Sequence, residues 1–280
     1  MFSGPIAGAI EYAGRATNVP RRIGCGLGRI GGLAQGLIVP ASLLMAWSVW
    51  ARLGWLPEQI LPPPSEVFGA MRDTIDDGTL LSSTLTSLRR VAEGFFAGAV
   101  FGLAFGFVTG ASRLAESLFA PLFLTLSQVP TLGWIPILVL FVGIDELLKI
   151  LVIGWAAFIP VALNTAQGVR DVPRTYLELG RVLSLSRLST LRSIILPSAV
   201  PSIFTGLREG LANSWQTLVA VELIASFEGL GYLMAYGRQL FQLELVLVAM
   251  IVVGLIGLSI HLLLSLIESH LQRWNPRGQS

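Results

Sequence analysis

Two residue types that often perform catalysis stand close together near the C-terminal end of the chain, Ser259 and His261. A histidine can activate a serine for nucleophilic attack by accepting its hydroxyl proton. On a helix, however, residues two positions apart point about 200° away from each other, so these two cannot form a dyad. The other histidine, His270, has no second ligand group beside it, and Cys25 is the single cysteine. The sequence therefore predicts no metal site and no disulfide.

Polar groups inside two long apolar stretches are the next candidates for chemistry. The first stretch holds Gln128 and Thr131 and is interrupted by Pro130, Gly133 and Pro136. These residues should unwind a helix, and broken backbone at membrane depth is tolerated where it lines a cavity. We therefore predict that Gln128 and Thr131 line a solute path. A proline-kinked helix packed through small residues is the alternative.

The second stretch is denser in polar groups than any other. We predict that its path-facing residues are Asn213, Trp215, Gln216, Thr217 and Glu222. Arg208 could attract an anion, but about two turns inside the membrane it can also snorkel or pair with a carboxylate. Glu222 argues against an anion site beside it unless it is paired. Asn164, in a neighbouring stretch, is expected to make a hydrogen bond between helices.

The elements that must position these residues are membrane helices. Of 280 residues, 53% are hydrophobic and 13% are charged, about half the charge of an average soluble domain. Six stretches approach the roughly 20 apolar residues that cross a bilayer. They are Leu33–Trp50, Val91–Thr109, Leu118–Val142, Leu147–Gln167, Ile203–Ala225 and Leu245–Ile267. The predicted fold class is an all-α membrane protein with six transmembrane helices.

Glycine recurs every fourth residue along the second predicted span, at Gly94, Gly98, Gly102, Gly106 and Gly110. This spacing leaves one helix face without side chains, so another helix can approach closely. We predict a packing face here rather than a channel lining.

Basic residues divide unevenly between the two sides of the membrane, which sets the orientation. One side receives twelve of the nineteen: Arg15, Arg21, Arg22, Arg29, Arg113, Arg170, Arg174, Arg181, Arg187, Arg192, Arg273 and Arg277. Both termini are therefore predicted to be cytoplasmic, in a multi-pass protein of the plasma (inner) membrane. The predicted organisation is a tail at 1–32, a membrane domain at 33–270 and a tail at 271–280. A net charge of +2 without a basic stripe argues against nucleic-acid binding.

The longest predicted cytoplasmic connection, residues 168–201, is too polar to span and too periodic to be disordered. Pro173 suits the start of a helix. The segment Ser184–Ser186 should break that helix and cap a second one, which runs to Leu196. Two short helices beneath the membrane would fill a groove on another protein. A helix pair lying on the lipid surface is the alternative.

This connection resembles the cytoplasmic signature of permease subunits of type I ATP-binding-cassette importers. The family pattern is Glu-Ala-Ala, a turn glycine four residues later, and Ile-x-Leu-Pro about ten residues further on. The chain matches it at Glu178, Ile194, Leu196 and Pro197, and departs from it at Leu179, Gly180 and Ser184. Glycine tolerates positive φ more easily than serine does, so the turn is expected to be tighter or differently shaped.

The resemblance covers nearly the whole chain beyond the N-terminal tail and is nearest to the sulfonate, taurine and nitrate branch. Segments that carry it include 61–65, 215–224 and 273–276. It implies a type I importer permease that takes up a small oxyanion such as an aliphatic sulfonate or taurine by alternating access. It also implies that the chain couples to the ATPase through Glu178, Leu179, Gly180, Ser184, Arg187, Ile194, Leu196 and Pro197.

The implied partners are a second copy of the chain, two ATP-binding-cassette ATPases and a periplasmic or lipid-anchored solute-binding protein. No Gly-x-x-x-x-Gly-Lys-Ser/Thr segment occurs in the sequence, so ATP and magnesium are assigned to the partner ATPase and no cofactor to this chain. Three alternatives stay open: a nitrate or bicarbonate importer permease, a membrane-embedded enzyme, and an ion-coupled secondary transporter.

Overall fold

The computed structural model describes residues 28–53 and 61–271. The predicted tails therefore lie outside the described residues from 1 to 27 and from 272 to 280, and so do the side chains of Arg187 and His270. Within the described ranges the chain forms eleven α-helices and no strand. The predicted all-α class is confirmed.

One helix, α1, belongs to a separate unit of the chain and is described by itself. It runs over Gly28–Leu53 and contains Pro40. Its side chains from Ile38 to Ala51 form an apolar segment shorter than a full span. The first predicted span, Leu33–Trp50, lies within this helix.

The second unit contains the other ten helices. They are α2 (Pro64–Asp76), α3 (Thr79–Ala111), α4 (Arg113–Ser127), α5 (Ile135–Val142), α6 (Glu146–Arg170), α7 (Arg174–Val182), α8 (Arg187–Thr190), α9 (Leu196–Ala225), α10 (Leu230–Gln239) and α11 (Leu243–Leu271). A 3₁₀ turn over Thr131–Trp134 precedes α5, and a π-helical turn over Leu191–Ile195 precedes α9.

Four described helices are long and apolar enough to cross a membrane: α3, α6, Leu188–Ala225 and the apolar part of α11. They correspond to the second, fourth, fifth and sixth predicted spans. The third predicted span, Leu118–Val142, is broken in the structure, which agrees with the unwinding predicted from Pro130, Gly133 and Pro136. There α4 meets the segment Thr131–Val142 at a bend of 94°. The break follows from Pro130, which lacks the N–H that a continuous helix would need at that position.

The glycine face of α3 packs directly against α6, which confirms the predicted packing role. A Cβ atom built on Gly94 would lie 2.7 Å from Cγ2 of Ile153, and one on Gly102 would lie 2.9 Å from Cβ of Val161. Gly98, Gly106 and Gly110 also face α6 closely. The two helices approach until backbone meets backbone, and α6 becomes the central helix of the unit.

Helix α9 packs on the other side of α6, again through small residues. A Cβ atom on Gly206 would lie 2.8 Å from Cβ of Asn164. Near the start of α6, Leu148 and Val152 form a core with Val221 of α9 and Ile135 of α5. Helix α10 then packs against α3, α9 and α11. The polar residues of α9 are thus held on a fixed helix between α6 and α11.

Candidate functional site

The segment after α6 forms a helical hairpin that exposes several large apolar side chains. Pro173 precedes α7 in an extended conformation, and Gly180 is the buried residue of that helix. Its neighbour Leu179 is 54% exposed, Val182 is 80% exposed and Leu183 is 61% exposed. Glu178 is exposed beside them. Large apolar side chains on the surface of a helix that belongs to no span indicate a contact surface.

The turn of the hairpin ends α7 with a left-handed residue, Ser184, at φ 50°. The N–H of Ser184 donates to the carbonyl of Arg181, and the N–H of Leu185 donates to the carbonyl of Gly180, both at 2.9 Å. These two bonds define a Schellman cap, whose left-handed position usually carries glycine. Serine occupies this left-handed position here, at some energetic cost.

The second half of the hairpin differs from the prediction of a short helix ending at Leu196. The chain is helical without interruption from α8 through the π-helical turn into α9. Pro197 lies at the start of α9, where its missing N–H removes one backbone hydrogen bond. A π-helical turn shifts the bonding pattern at this point, so the helix continues past the proline.

Hairpin and span are joined by Ile194, a residue of the sequence signature. A Cβ atom built on Gly180 would lie 3.0 Å from Cδ1 of Ile194. Glycine at position 180 therefore lets α7 rest on the π-helical turn. The signature residues are brought together, with Leu196 and Pro197 in the first turn of α9.

On α9, three of the predicted path residues share one face. Asn213 and Gln216 are exposed and Thr217 is half-buried, and residues at spacings of three and four lie on the same side of a helix. Trp215 is 6% exposed and packs beside Gly257 of α11, which differs from the predicted path-facing position. The structure therefore presents a narrower polar face than the sequence indicated.

Glu222, also predicted to face the path, is completely buried. Nη1 of Arg90 donates to its Oε1 at 2.8 Å, and Oγ of Ser87 donates to it at 2.9 Å. The backbone N–H of Gly231 donates to Oε2 at 2.9 Å. A carboxylate at this depth needs a counter-charge and hydrogen bonds, and these partners enclose it. Glu222 thus holds helices together instead of lining an open path.

Arg90 connects this carboxylate to the start of α6. Its Nη2 donates to Glu146 at 2.6 Å, and its Nη1 donates to the carbonyl of Glu228 at 2.8 Å. Nζ of Lys149 donates to the same Glu146 at 2.7 Å. Sequence reasoning missed Arg90 because the predicted second span began at Val91. The usable signal was the charge of Glu222, which at membrane depth requires a basic partner.

Two other polar residues behave as predicted. Arg208 pairs with Glu268 of α11, so the structure shows the carboxylate pairing that the sequence suggested. Nδ2 of Asn164 donates to Glu209 of α9 at 3.1 Å, which confirms a hydrogen bond between helices. The remaining path candidates, Gln128 and Thr131, flank the bend after α4. Gln128 is exposed there and Thr131 is half-buried.

A bundle of membrane helices with an exposed hairpin next to the spans has the features of a transport subunit. A family model described as "Binding-protein-dependent transport system inner membrane component" matches residues 98–274. The chain belongs to this family of permease components of ATP-binding-cassette importers, in which a separate subunit hydrolyses ATP. The resemblance seen in the sequence is thereby confirmed.

Several curated proteins are similar over most of the chain. The putative aliphatic sulfonates transport permease protein SsuC of Bacillus subtilis is 34% identical, over 87% of this chain and 88% of that protein. The taurine transport system permease protein TauC of Escherichia coli is 34% identical, over 85% and 89%. The bicarbonate transport system permease protein CmpB of Synechococcus elongatus is 32% identical, over 87% and 91%.

A solved structure shows the same fold. A chain of the MetNI methionine ABC transporter in an inward-facing conformation aligns with a TM-score of 0.60 at 17% identity. The alignment covers 70% of this chain and 97% of that one. The arrangement of membrane helices and hairpin is thus that of type I importer permeases.

Proposed function

We propose that two copies of this chain form the membrane pathway of an importer, with the α7 hairpin docked on a cytoplasmic ATP-binding-cassette ATPase. ATP binding would draw the paired hairpins together and tilt the spans outward-open, and a solute-binding protein would deliver the cargo. Both termini face the cytoplasm in this proposal, because the arginine-rich connections lie on that side.

The observation that carries the coupling role is the exposed surface of α7. Leu179, Val182 and Leu183 are apolar, lie outside the predicted spans, and stand beside the exposed carboxylate of Glu178. Apolar surface of this kind is stabilised by burial against a partner. Because Gly180 and Ile194 fix the hairpin on the π-helical turn, a force applied to it reaches α9 directly.

The coupling proposal is tested by co-purification from detergent-solubilised native membranes. Tagged wild-type chain should co-purify with an ATP-binding-cassette ATPase, and the purified sample should hydrolyse ATP. Glu178→Lys should abolish both, because it reverses a charge on the docking surface. Glu66→Lys is the matched control, since Glu66 is also an exposed helical glutamate but lies on α2. Wild-type chain that binds no ATPase would contradict the proposal.

For the cargo, we infer a small oxyanion, with an aliphatic sulfonate or taurine first. Two relatives at 34% identity carry these solutes by name. The polar face of α9 supports this choice, because Asn213, Gln216 and Thr217 offer neutral hydrogen-bond donors. Bicarbonate is the second candidate and is favoured by the similarity to CmpB.

The cargo proposal is tested by uptake of radiolabelled taurine and of an alkanesulfonate into cells that carry or lack the gene. Excess unlabelled sulfonate should compete, whereas competition by bicarbonate alone would favour the second candidate. Gln216→Leu should lower uptake with little change in the amount of protein. Gln239→Leu, a substitution of an exposed glutamine at the end of α10, is the control. Equal uptake by all variants would show that the polar face of α9 does not line the solute path.

A further inference from the structure

A cavity of about 360 Å³ lies at the start of α6, at the end of that helix opposite to the α7 hairpin. Six of its nine lining residues are charged, three of each sign. Ile144 and Phe227 are the apolar residues of the lining and are exposed, so they can contact a carbon chain. A space of this size lies at the lower end of small-molecule sites. The cavity can therefore hold a small solute and offers it charges of both signs.

Three of the charged groups that line the cavity neutralise one another. Nη2 of Arg90 and Nζ of Lys149 both donate to Oε1 of Glu146, at 2.6 and 2.7 Å. The two cationic side chains are only 2% and 5% exposed, and Arg90 also holds Glu222. These four residues form the Arg90 cluster. Because its cations are buried and engaged, a solute in the cavity must be bound by the other groups of the lining.

The remaining charged groups are accessible and do not pair across the cavity. The Arg89 side chain is 69% exposed, and its Nε donates to Glu93 on the same helix. Neither of its terminal NH₂ groups donates to another described residue. Asp145 and Glu228 are exposed, and neither carboxylate forms an ion pair or accepts a hydrogen bond within the described part of the chain. The cavity thus presents a guanidinium and two carboxylates that are free to bind a ligand.

A ligand with a single charge does not match this lining. Arg89 would attract an anion, but the two free carboxylates would repel it, and a cation would leave the guanidinium without an acceptor. A zwitterion satisfies both signs at once. Thr86 also lines the cavity and is half-buried, and it lies three positions before Arg89 on the same helix face. Its hydroxyl adds a neutral donor beside the guanidinium.

The free charges are held in place by the Arg90 cluster. Arg89 directly precedes Arg90 on α3, and Asp145 directly precedes Glu146 at the start of α6. The carbonyl of Glu228, in the connection after α9, accepts from Nη1 of Arg90 at 2.8 Å. The spacing between donors and acceptors is therefore fixed before a ligand binds. Such preorganisation lowers the entropic cost of binding a ligand whose charges match that spacing.

We propose that this cavity binds a small zwitterion in which a short carbon chain joins an oxyanion to an ammonium group, such as taurine. Arg89 and Thr86 donate to the oxyanion, and Asp145 and Glu228 accept from the ammonium group. This inference rests on the proposed function, in which solute enters from this side of the membrane, and it assigns a site to the cargo. The site selects an aminosulfonate over an alkanesulfonate without the ammonium group.

The test measures binding to the full chain in a nonionic detergent by titration with saturation-transfer NMR. The probes are taurine, ethanesulfonate and ethylammonium, which carry both charges, only the negative one and only the positive one. Taurine should bind at least about tenfold more tightly than either of the others, because each of them loses one set of charge-assisted hydrogen bonds.

Two variants separate the roles of the two charges. Asp145→Asn should weaken taurine binding about tenfold, yet it should not weaken ethanesulfonate binding, because it removes a repelling carboxylate. Loss of folding would weaken both. Arg89→Gln should weaken both ligands. The matched controls on α2 are Asp73→Asn and Arg72→Gln, which should bind taurine normally. Arg72 forms the same kind of surface pair as Arg89, with a carboxylate four positions later, but does not line the cavity.

Three results would overturn the site. Ethanesulfonate or ethylammonium could bind as tightly as taurine, or Asp145→Asn and Arg89→Gln could leave the affinity for taurine unchanged. Taurine could also bind in nonionic detergent but not in nanodiscs of phosphatidylethanolamine. That lipid headgroup carries the same two charges, so the last result would identify it as the occupant.

Failure of this site and failure of the proposed function give different results. If taurine does not bind, but the chain co-purifies with an ATPase and supports sulfonate uptake, the site is wrong and the importer remains. If taurine binds with the expected dependence on Asp145, but wild-type chain binds no ATPase, the site stands and the coupling proposal fails.

Discussion

Arg90 and Glu222 form an ion pair in the interior of the helix bundle, with Nη1 and Oε1 2.8 Å apart. Their side chains are 2% and 0% exposed. Three spans meet in this cluster, because Arg90 belongs to α3, Glu146 to α6 and Glu222 to α9. The pair neutralises two charges that the apolar surroundings could not hold singly.

Removal of one partner should therefore destabilise the protein strongly. Arg90→Met leaves the Glu222 carboxylate buried without its counter-charge, and we expect a loss of about 3–5 kcal/mol. Thermal unfolding in detergent measures it. Arg89→Met is the matched control, because Arg89 pairs with Glu93 on the surface and should contribute less than about 1 kcal/mol. Similar losses for the two variants would show that the buried pair is not special.

Ser184→Gly should stabilise the hairpin. Glycine avoids the cost of the left-handed conformation, so we expect a gain of about 0.5–1 kcal/mol in the stability of this local structure. Hydrogen exchange of the α7 amides measures it.

The control for that prediction lies two residues further on. Ser186 caps α8, since the N–H of Ser189 donates to its hydroxyl at 3.2 Å. Ser186→Gly should therefore lower the stability of the hairpin by a few tenths of a kcal/mol, whereas Ser184→Gly should raise it. A gain at both positions would mean that general loop flexibility, not backbone strain, decides the result.

Gly98→Leu should prevent α3 from reaching α6. A side chain at this position would meet the carbonyl oxygen of Gly154, which is backbone and cannot move aside. We expect little folded, monodisperse protein in size-exclusion chromatography. Gly69→Ala on α2 is the control, because nothing lies within 4 Å of the added methyl group. It should raise stability by about 0.5–1 kcal/mol, as alanine does in a helix interior.

Val182→Asp should separate docking from folding. Val182 is 80% exposed on α7, so the isolated permease should unfold at the wild-type temperature. Association with the ATPase should weaken at least about tenfold, because the substitution puts a charge on an apolar contact surface. Titration of the purified ATPase against the permease in nanodiscs measures the affinity. Unchanged affinity would place the contact elsewhere on the hairpin.

The sequence predicted features that depend on local rules. The glycine repeat from Gly94 to Gly110 predicts a packing face from its spacing alone, because residues four positions apart lie on the same side of a helix. The break near Pro130 follows likewise from the missing N–H of proline. The apolar length of each span can be recognised in the sequence without knowing what the span contacts.

Features that depend on contacts between distant residues could not be predicted in this way. The burial of Glu222 requires Arg90, which lies 132 positions earlier in the sequence. Trp134, in the turn after α4, and Trp155, within α6, meet edge to face with their ring centroids 5.9 Å apart, and no local sequence pattern pairs them. The uninterrupted helix through Pro197 depends on a π-helical turn, which no residue type specifies.

That uninterrupted helix joins the hairpin to the far end of the bundle in a single continuous element. It spans Leu188–Ala225, 38 residues, or about 55 Å at 1.5 Å per residue. If the helix tilted by about 5° around one end, its other end would move by about 5 Å, close to the rise of one helical turn. Beyond Ala225 the chain enters the Arg90 cluster through Ser226, whose hydroxyl lies 3.2 Å from Nη1 of Arg90. In the proposed transport cycle, the length of this single helix would therefore set the amplitude of motion at its far end.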